Sequence, residues 1–361
     1  MGELNARDVG WSVVRAVRAG SVRRVNPATQ DRSAPVDWAL AVTTATRLVR
    51  PGPIVPRAEA DIAVHRLREL AVDAEVHVRD LTGLGHGLPL KQGEVVDRPG
   101  WVRAAVQGLA ALTDGALPKQ SGAFSGVMAG TAGVQAGVVI AFLSGRVLGQ
   151  YDPFSDDGRL LLVAPNIVGA QRALDVSGED FSMWVCLHEG THRLQFTAVP
   201  WLAGHFASLV ATLLGSMDES TAPRLRDLPK RLREADGLVE LLQSPAQREV
   251  LDRLIALSTL LEGHADHVMD AVGPDVVPSV RTIRERFTAR RQGGGVLDRV
   301  LRTLLGVEAK VRQYAEGAAF TGHVVDAVGM DRFNTIWTSP DTLPTRAEIA
   351  DPAGWLRRVR P

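Results

Sequence analysis

The sequence predicts a mainly α-helical fold with one small β element, on the basis of three observations. Apolar residues recur with helical periodicity through most of the chain, and proline or glycine interrupts most of these stretches. A single short apolar run has the composition of a strand. The 361 residues are 45% apolar and 23% charged, which is typical of a globular protein with a sizeable core.

The predicted elements follow one another along most of the chain. We predict helices over residues 37–50, 58–81, 98–113, 122–148, 178–197, 201–217, 246–271 and 297–328. The strand candidate is GRLLLVAPNIV, residues 158–168, and GQYDPF, residues 149–154, is interpreted as a turn. Mixed charge and the turn-rich stretch NPATQDRSAP predict an N-terminal arm over 1–35, followed by a single helical domain over 36–361.

Charge and cysteine content limit the functional classes. Forty-one basic residues balance forty-one acidic ones, so no net field favours nucleic acid or an anionic membrane as a partner. Cys186 is the single cysteine, which excludes an intrachain disulfide and favours a reducing compartment. The first residues lack the apolar core of a signal peptide, so we expect a cytoplasmic protein.

Residues 120–145 carry no charge and are long enough to span a bilayer. Glycines recur at small-residue spacing within this run, which favours close packing against another helix. Gln135 lies in its middle, and the chain has no second run of this kind. We therefore predict a buried central helix and not a membrane span.

The segment WVCLHEGTHRLQF, residues 184–196, contains two histidines four residues apart with a glutamate directly after the first. A capping-box start at Ser177 predicts that His188 and His192 lie inside a helix, one turn apart on one face. Imidazoles at this spacing can reach one zinc ion, Zn²⁺, and Glu189, about 100° around the helix, is the candidate general base. The alternative is a helix with two buried, hydrogen-bonded histidines.

A catalytic zinc site needs a third protein ligand, and the segment LLEGHADHVMDAVGP, residues 260–274, offers the best candidates. Glu262 and Asp266 are four residues apart and share one helix face, so Glu262 can bind zinc while Asp266 accepts the outer N–H of a ligating histidine. His264 and His267 lie on the far side of the same helix. They remain alternative ligands, or are simply packed or solvated histidines.

A polar stripe marks a further candidate helix near the C-terminus. In KVRQYAEGAAF, one helix face carries Lys310, Gln313, Tyr314 and Gly317. The Tyr314 hydroxyl is a candidate hydrogen-bond donor to the oxyanion that forms when water attacks a carbonyl group. The alternative is a structural polar network where two helices cross.

Several of these motifs together resemble one known family. The quoted segments are GRVLGQYDPF, HEGTHRLQF, LEGHADHVMDAVG, KVRQYAEGAAF and LPTRAEIADPAGWLRR, which cover residues from about 120 to 361. The chain resembles the zincin-like hydrolases of actinobacteria, the family of unknown function DUF2342, and is most similar to its coenzyme F420 biosynthesis-associated branch. The resemblance implies a mostly helical zincin-like fold and a zinc-dependent hydrolase or peptidase. Glu262 and Asp266 match the Glu-x-x-x-Asp arrangement of glutamate-type zincins.

Three functions are compatible with these residues. The first is a zinc hydrolase acting on a peptide or small amide substrate, and the intact Glu189 favours it because a purely structural site does not need that carboxylate. The second is a zincin-like scaffold that binds a partner without turnover. The third is hydrolysis of a non-peptide amide linked to F420 metabolism.

Overall fold

The computed structural model describes residues 35–114, 116, 125–155, 157–215, 245–292 and 307–361, without the side chains of residues 290–292 and 307–315. Within these ranges the chain is mainly helical with one three-stranded sheet, which confirms the predicted fold class. The predicted N-terminal arm, residues 1–35, lies outside the described ranges except for its last residue. The division into arm and domain therefore stays a prediction.

The elements are numbered in chain order. The first are α1 (Trp38–Leu48), α2 (Arg57–Thr82), β1 (Glu94–Val96), α3 (Arg98–Thr113) and α4 (Ser125–Ser144). They are followed by β2 (Gly149–Asp152), β3 (Arg159–Val163), α5 (Ala164–Leu174), α6 (Gly178–Ala198), α7 (Leu202–Gly215) and α8 (Pro245–Ala271). The C-terminal elements are α9 (Gly273–Val276), α10 (Val280–Gln292), α11 (Val307–Val328), α12 (Met330–Phe333), two 3-10 turns (Asn334–Trp337 and Pro340–Thr342), α13 (Arg346–Ala350) and α14 (Pro352–Val359).

The sheet has the strand order β1-β3-β2. Strand β3 is central, parallel to β1 and antiparallel to β2, and Leu161 pairs with a residue on each neighbour. The predicted strand over 158–168 is therefore correct only in its first half. The chain turns into α5 at Ala164, because Pro165 occupies the first turn of that helix, where its missing N–H costs nothing.

Strand β2 corrects the interpretation of residues 149–154 as a turn. Its side chains alternate between two helices, since Gln150 accepts a hydrogen bond from the Trp101 indole of α3 at 2.9 Å, while Tyr151 stacks on Phe196 of α6. Among the described residues no strand pairs with its outer side, so β2 is an edge of the sheet. This edge runs next to α6, the helix that carries the histidine pair.

Helix α6 lies in the middle of the main hydrophobic core. Ser177 caps its N-terminus by accepting a hydrogen bond from the Asp180 amide at 3.3 Å, as the sequence predicts. Its apolar residues pack against α2 on one side and α8 on another, so the helix is buried around most of its circumference. Polar groups on such a helix need partners inside the protein, which restricts how its histidines and Glu189 can be arranged.

Helices α8 and α11 cross at a pair of glycines, Gly263 and Gly317. A Cβ atom on either residue would overlap the backbone of the other helix, so only glycine permits this approach. Gly263 directly follows Glu262 in the sequence. The crossing therefore brings α11 close to the third candidate zinc ligand.

Helix α4, which contains most of the uncharged run, is not the buried central helix that the sequence predicts. Gly133 packs closely on the backbone of Asp37, the N-cap of α1, and Gly137 packs on α1 itself, but Val127 and Met128 are 68% and 57% exposed. The prediction of burial was wrong because hydropathy does not reveal whether a helix has neighbours on every side.

By length and composition, α4 also passes a test for a membrane-crossing helix. Among the described residues, no other individual helix passes this test. Helices α6 and α7, which are bent by 92° relative to each other, pass only if the two are treated as one broken span. Core helices of proteins outside membranes pass the same test. The expectation that the protein has no membrane segment therefore stays a prediction.

Candidate metal centre

Three side chains from two helices meet at one point beside the core. His188 and His192 extend from one face of α6, and Glu262 extends from α8, which packs against α6. The two histidine Nε2 atoms are 3.1 Å apart. Glu262 Oε2 lies 3.4 Å from His188 Nε2 and 3.6 Å from His192 Nε2. The structure therefore brings together the three residues that the sequence analysis selected as ligands.

The size of this triangle fits a zinc ion. Ligand atoms about 2.0–2.1 Å from a tetrahedral zinc ion are about 3.3–3.4 Å from one another. The three measured separations, from 3.1 to 3.6 Å, bracket that value. The donor set of two imidazoles and one carboxylate is typical of catalytic zinc sites. Between 14% and 31% of each side chain is exposed, so the three side chains are only partly buried.

The electrostatics of the cluster link the carboxylate to the histidines. Burial raises the pKa of Glu262, but His192 and His188 outweigh it and hold that pKa well below its usual value. Burial lowers the pKa of His192, but Glu262 and Glu189 together raise it to about 9. The Glu262 carboxyl is thus anionic at neutral pH, and His192 would have to release a proton before it could bind a metal.

Glu189 follows His188 on α6 and points past the triangle toward strand β2. Its side chain is buried against Gly149, where a Cβ atom would overlap the carboxylate, so this position of the strand needs glycine. Burial raises the pKa of Glu189, and the two histidines offset part of that effect. Among the described residues, the candidate metal group contains only the triangle, so Glu189 lies beside this group without being part of it.

Asp266 does not have the partner that the sequence analysis assigned to it. Its carboxylate accepts a hydrogen bond from Arg284 of α10 at 3.0 Å, and Arg284 also binds Asp270 at 2.8 Å. The expectation that Asp266 accepts the outer N–H of a ligating histidine is therefore corrected. Helical spacing placed Asp266 on the same face as Glu262, but it could not predict an arginine supplied by another helix.

The outer ring nitrogens of the two histidines contact residues that the sequence analysis missed. His192 Nδ1 lies 2.9 Å from Gln195 Oε1, and His188 Nδ1 lies 3.2 Å from the Met269 sulfur. Gln195 is three residues after His192 on the same helix, a spacing that brings side chains together. Helical spacing was thus the signal for Gln195, whereas Met269 depends on the packing of α8 on α6.

The two alternative ligands of α8 face away from the cluster. His264 is fully buried, stacks on Phe333 and lies 3.0 Å from the Gln195 side-chain nitrogen. Burial lowers its pKa to about 3, so the ring is neutral. Burial also lowers the pKa of His267, which lies near Asp326 and Asp270. Neither histidine belongs to the candidate metal group.

Tyr314 lies on helix α11, but its side chain is outside the part of the chain that the structure describes. Its backbone position is about one helical turn before Gly317, where α11 crosses α8. Its predicted catalytic role is therefore still a prediction. Cys186 of α6 is fully buried among apolar residues, as expected of a core cysteine, and burial raises the pKa of its thiol.

Comparisons with known proteins found one similar solved structure and one matching family. A crystal structure from Chloroflexus aurantiacus, described as that of a candidate hydrolase with a novel fold, is 30% identical with a TM-score of 0.67. The similarity covers 90% of this chain and 99% of that one. Among curated proteins, no match was found. The profile of the zincin-like metallopeptidases matches residues 36–356, almost the whole chain. The chain belongs to the zincin-like metallopeptidase family.

Proposed function

We propose that the protein is a zinc-dependent hydrolase that cleaves peptide or small amide bonds, with Glu189 as its general base. The observation that carries this proposal is the triangle of His188, His192 and Glu262, whose dimensions fit tetrahedral zinc, beside a buried glutamate that is not part of it. Membership of the zincin-like family and similarity to a candidate hydrolase support the same class of reaction.

Each residue of the site has a distinct part in this chemistry. His188, His192 and Glu262 would hold the ion, and zinc, when bound, supplies a Lewis acid that lowers the pKa of a water molecule to about 7. A Glu189 carboxylate oxygen accepts the proton that the water loses as it attacks the carbonyl carbon. Glu189 then delivers that proton to the departing amine nitrogen. Burial strengthens Glu189 as a base because it raises the pKa of the carboxyl group.

Strand β2 supports a peptide as the substrate. An edge strand offers unpaired backbone N–H and C=O groups, to which an extended peptide can add as a further strand. Gly149 of this strand lies against Glu189, so a peptide bound along β2 would pass the general base. A non-peptide amide would not use these backbone groups. The link to coenzyme F420 and the cytoplasmic location implied by the sequence remain predictions.

We expect the Tyr314 hydroxyl to donate a hydrogen bond to the oxyanion that forms at the substrate carbonyl. What supports this expectation is the position of Tyr314 on α11, about one helical turn before Gly317, the residue at which α11 crosses α8 beside Glu262. Replacing Tyr314 with phenylalanine should lower kcat by about 10²–10³-fold, the usual effect of losing one oxyanion donor, with zinc content unchanged. Steady-state kinetics would measure this loss, and an unchanged kcat would exclude the role.

The proposal is tested by metal analysis combined with an unbiased peptide library. Purified protein, reconstituted with zinc if necessary, should hold about one zinc ion per chain and cleave a subset of the library. Removing zinc with a chelator should abolish cleavage, and adding zinc back should restore it. Protein that binds no zinc after reconstitution would contradict the proposal. Protein that binds zinc but cleaves no peptide or amide would support the non-catalytic scaffold instead.

A further inference from the structure

We propose that Gln195 is a positioning residue that fixes the ring of His192 for metal binding, and that it is itself held by His264 and the backbone of Leu261. The inference rests on the proposed function and deepens it, because it assigns the control of one zinc ligand to a side chain outside the HEGTH motif. Gln195 is fully buried, so bulk solvent does not offer its amide group alternative partners.

The contacts of Gln195 determine which way its amide group faces. Its Nε2 lies 2.9 Å from the Leu261 carbonyl oxygen and 3.0 Å from His264 Nδ1. A backbone carbonyl can only accept a hydrogen bond, so the amide nitrogen must donate to it. The amide oxygen therefore faces His192, whose Nδ1 lies 2.9 Å away.

This orientation selects one tautomer of His192. The Gln195 oxygen can only accept, so His192 Nδ1 must carry the proton and donate it. In the neutral ring, Nε2 then keeps its lone pair, and Nε2 is the atom that faces His188 Nε2 and Glu262 Oε2. Partners of this kind, beyond the ligands themselves, fix the tautomer and orientation of metal-binding histidines.

His264 keeps Gln195 in place. Its ring is clamped between Phe333 and Trp337, with centroid separations of 5.4 and 5.5 Å, and it is fully buried. Its Nδ1 accepts from Gln195, so its proton is on Nε2, which has no hydrogen-bond partner among the described residues. A buried N–H without a hydrogen-bond partner costs free energy. We infer that the hydrogen bond from Gln195 to His264 Nδ1 offsets this cost and so keeps the His264 proton on Nε2.

The other histidine lacks an equivalent partner. His188 Nδ1 faces the Met269 sulfur at 3.2 Å, and a thioether is only a weak acceptor. Among the described residues, the His192 ring is therefore oriented by a hydrogen bond to the Gln195 oxygen, whereas the His188 ring is oriented mainly by packing against Met269. Zinc affinity should accordingly depend strongly on Gln195.

The test compares Gln195→Met, which keeps the length but removes the amide, with Gln195→Glu, which restores an acceptor for His192 but cannot donate to Leu261 or His264. Zinc affinity is measured by competition with a zinc indicator. The ring N–H signals are recorded by NMR on zinc-loaded protein with ¹⁵N-labelled histidine. We expect Gln195→Met to lower zinc affinity by about 10–100-fold and to remove one protected ring N–H signal. Gln195→Glu should recover the signal and part of the affinity, because it keeps the acceptor for His192 but loses the two contacts that hold the side chain in place.

Two further variants complete the design. His264→Phe keeps the aromatic packing but removes the acceptor, so it should lower zinc affinity in the same direction as Gln195→Met and by less. Gln247→Met removes another buried glutamine on α8, about 22 Å along the helix from Glu262, and should leave zinc affinity unchanged.

The outcomes separate this inference from the proposed function. Wild-type zinc affinity in both Gln195→Met and His264→Phe would overturn the positioning role and leave the hydrolase proposal standing. If Gln195 had a purely structural role, Gln195→Glu would bind zinc as weakly as Gln195→Met or more weakly. This result would also overturn the positioning role. If Gln195→Met does not fold, His264→Phe and Gln195→Glu decide the question. A wild-type protein without zinc affinity would overturn both proposals.

Discussion

Replacing Glu189 with glutamine is expected to lower turnover of a cleaved peptide by about 10²–10⁴-fold while leaving zinc content and melting temperature nearly unchanged. Glutamine has almost the same shape as glutamate and fits the same space beside Gly149, but its amide cannot accept the proton that water loses. The proposed zinc ligands are His188, His192 and Glu262, so the metal should stay in place. Steady-state kinetics and elemental analysis of the same preparations would measure both effects.

Glu179→Gln provides the matched control for this experiment. Glu179 is an exposed glutamate on the same helix, ten residues or about 15 Å before Glu189, and should tolerate the change with wild-type turnover. Equal activity in Glu189→Gln and the wild type would remove the general-base role. Loss of zinc from Glu189→Gln would instead mean that Glu189 is itself a ligand.

Replacing Glu262 with glutamine is expected to lower zinc affinity by more than about 100-fold. This loss exceeds the usual effect of changing a residue that hydrogen-bonds a metal ligand without binding the metal itself. The change replaces the single anionic side chain of the candidate metal group with a neutral amide, which binds zinc weakly. Asp266→Asn is the matched control on the same helix, since that carboxylate binds Arg284 and not a histidine. Retained affinity in Glu262→Gln would show that the third ligand lies elsewhere.

The same variant should change how zinc affinity depends on pH. In the wild type the pKa of His192 is about 9, so zinc must displace a proton below that pH. Affinity should therefore rise about tenfold per pH unit up to about pH 9 and then level off. In Glu262→Gln the charge that most raises this pKa is gone while burial still lowers it, so the plateau should begin at a lower pH. Indicator competition at several pH values would detect the shift.

The local sequence was sufficient to predict the histidine pair and its helix. His188 and His192 are one turn apart because an α-helix has about 3.6 residues per turn, and the Ser177 cap defines where that helix begins. Helix geometry also favoured Glu262 over His264 and His267, and the structure places those two histidines away from the cluster. Each of these predictions concerns which residues share a face of their own helix, and a periodic pattern describes such faces well.

Features that depend on which segments pack together came only from the tertiary structure. The partner of Asp266 is an arginine from α10, and the edge strand beside Glu189 forms because residues 149–152 pair with β3. The sequence of α4 predicted burial, but its exposed face shows that an apolar helix need not have neighbours on all sides. Helical spacing predicts that Gln195 lies close to His192, three residues earlier on the same helix. Its orientation follows only from the contacts with Leu261 and His264 of α8, because each member of a hydrogen-bond network limits how the others can bond.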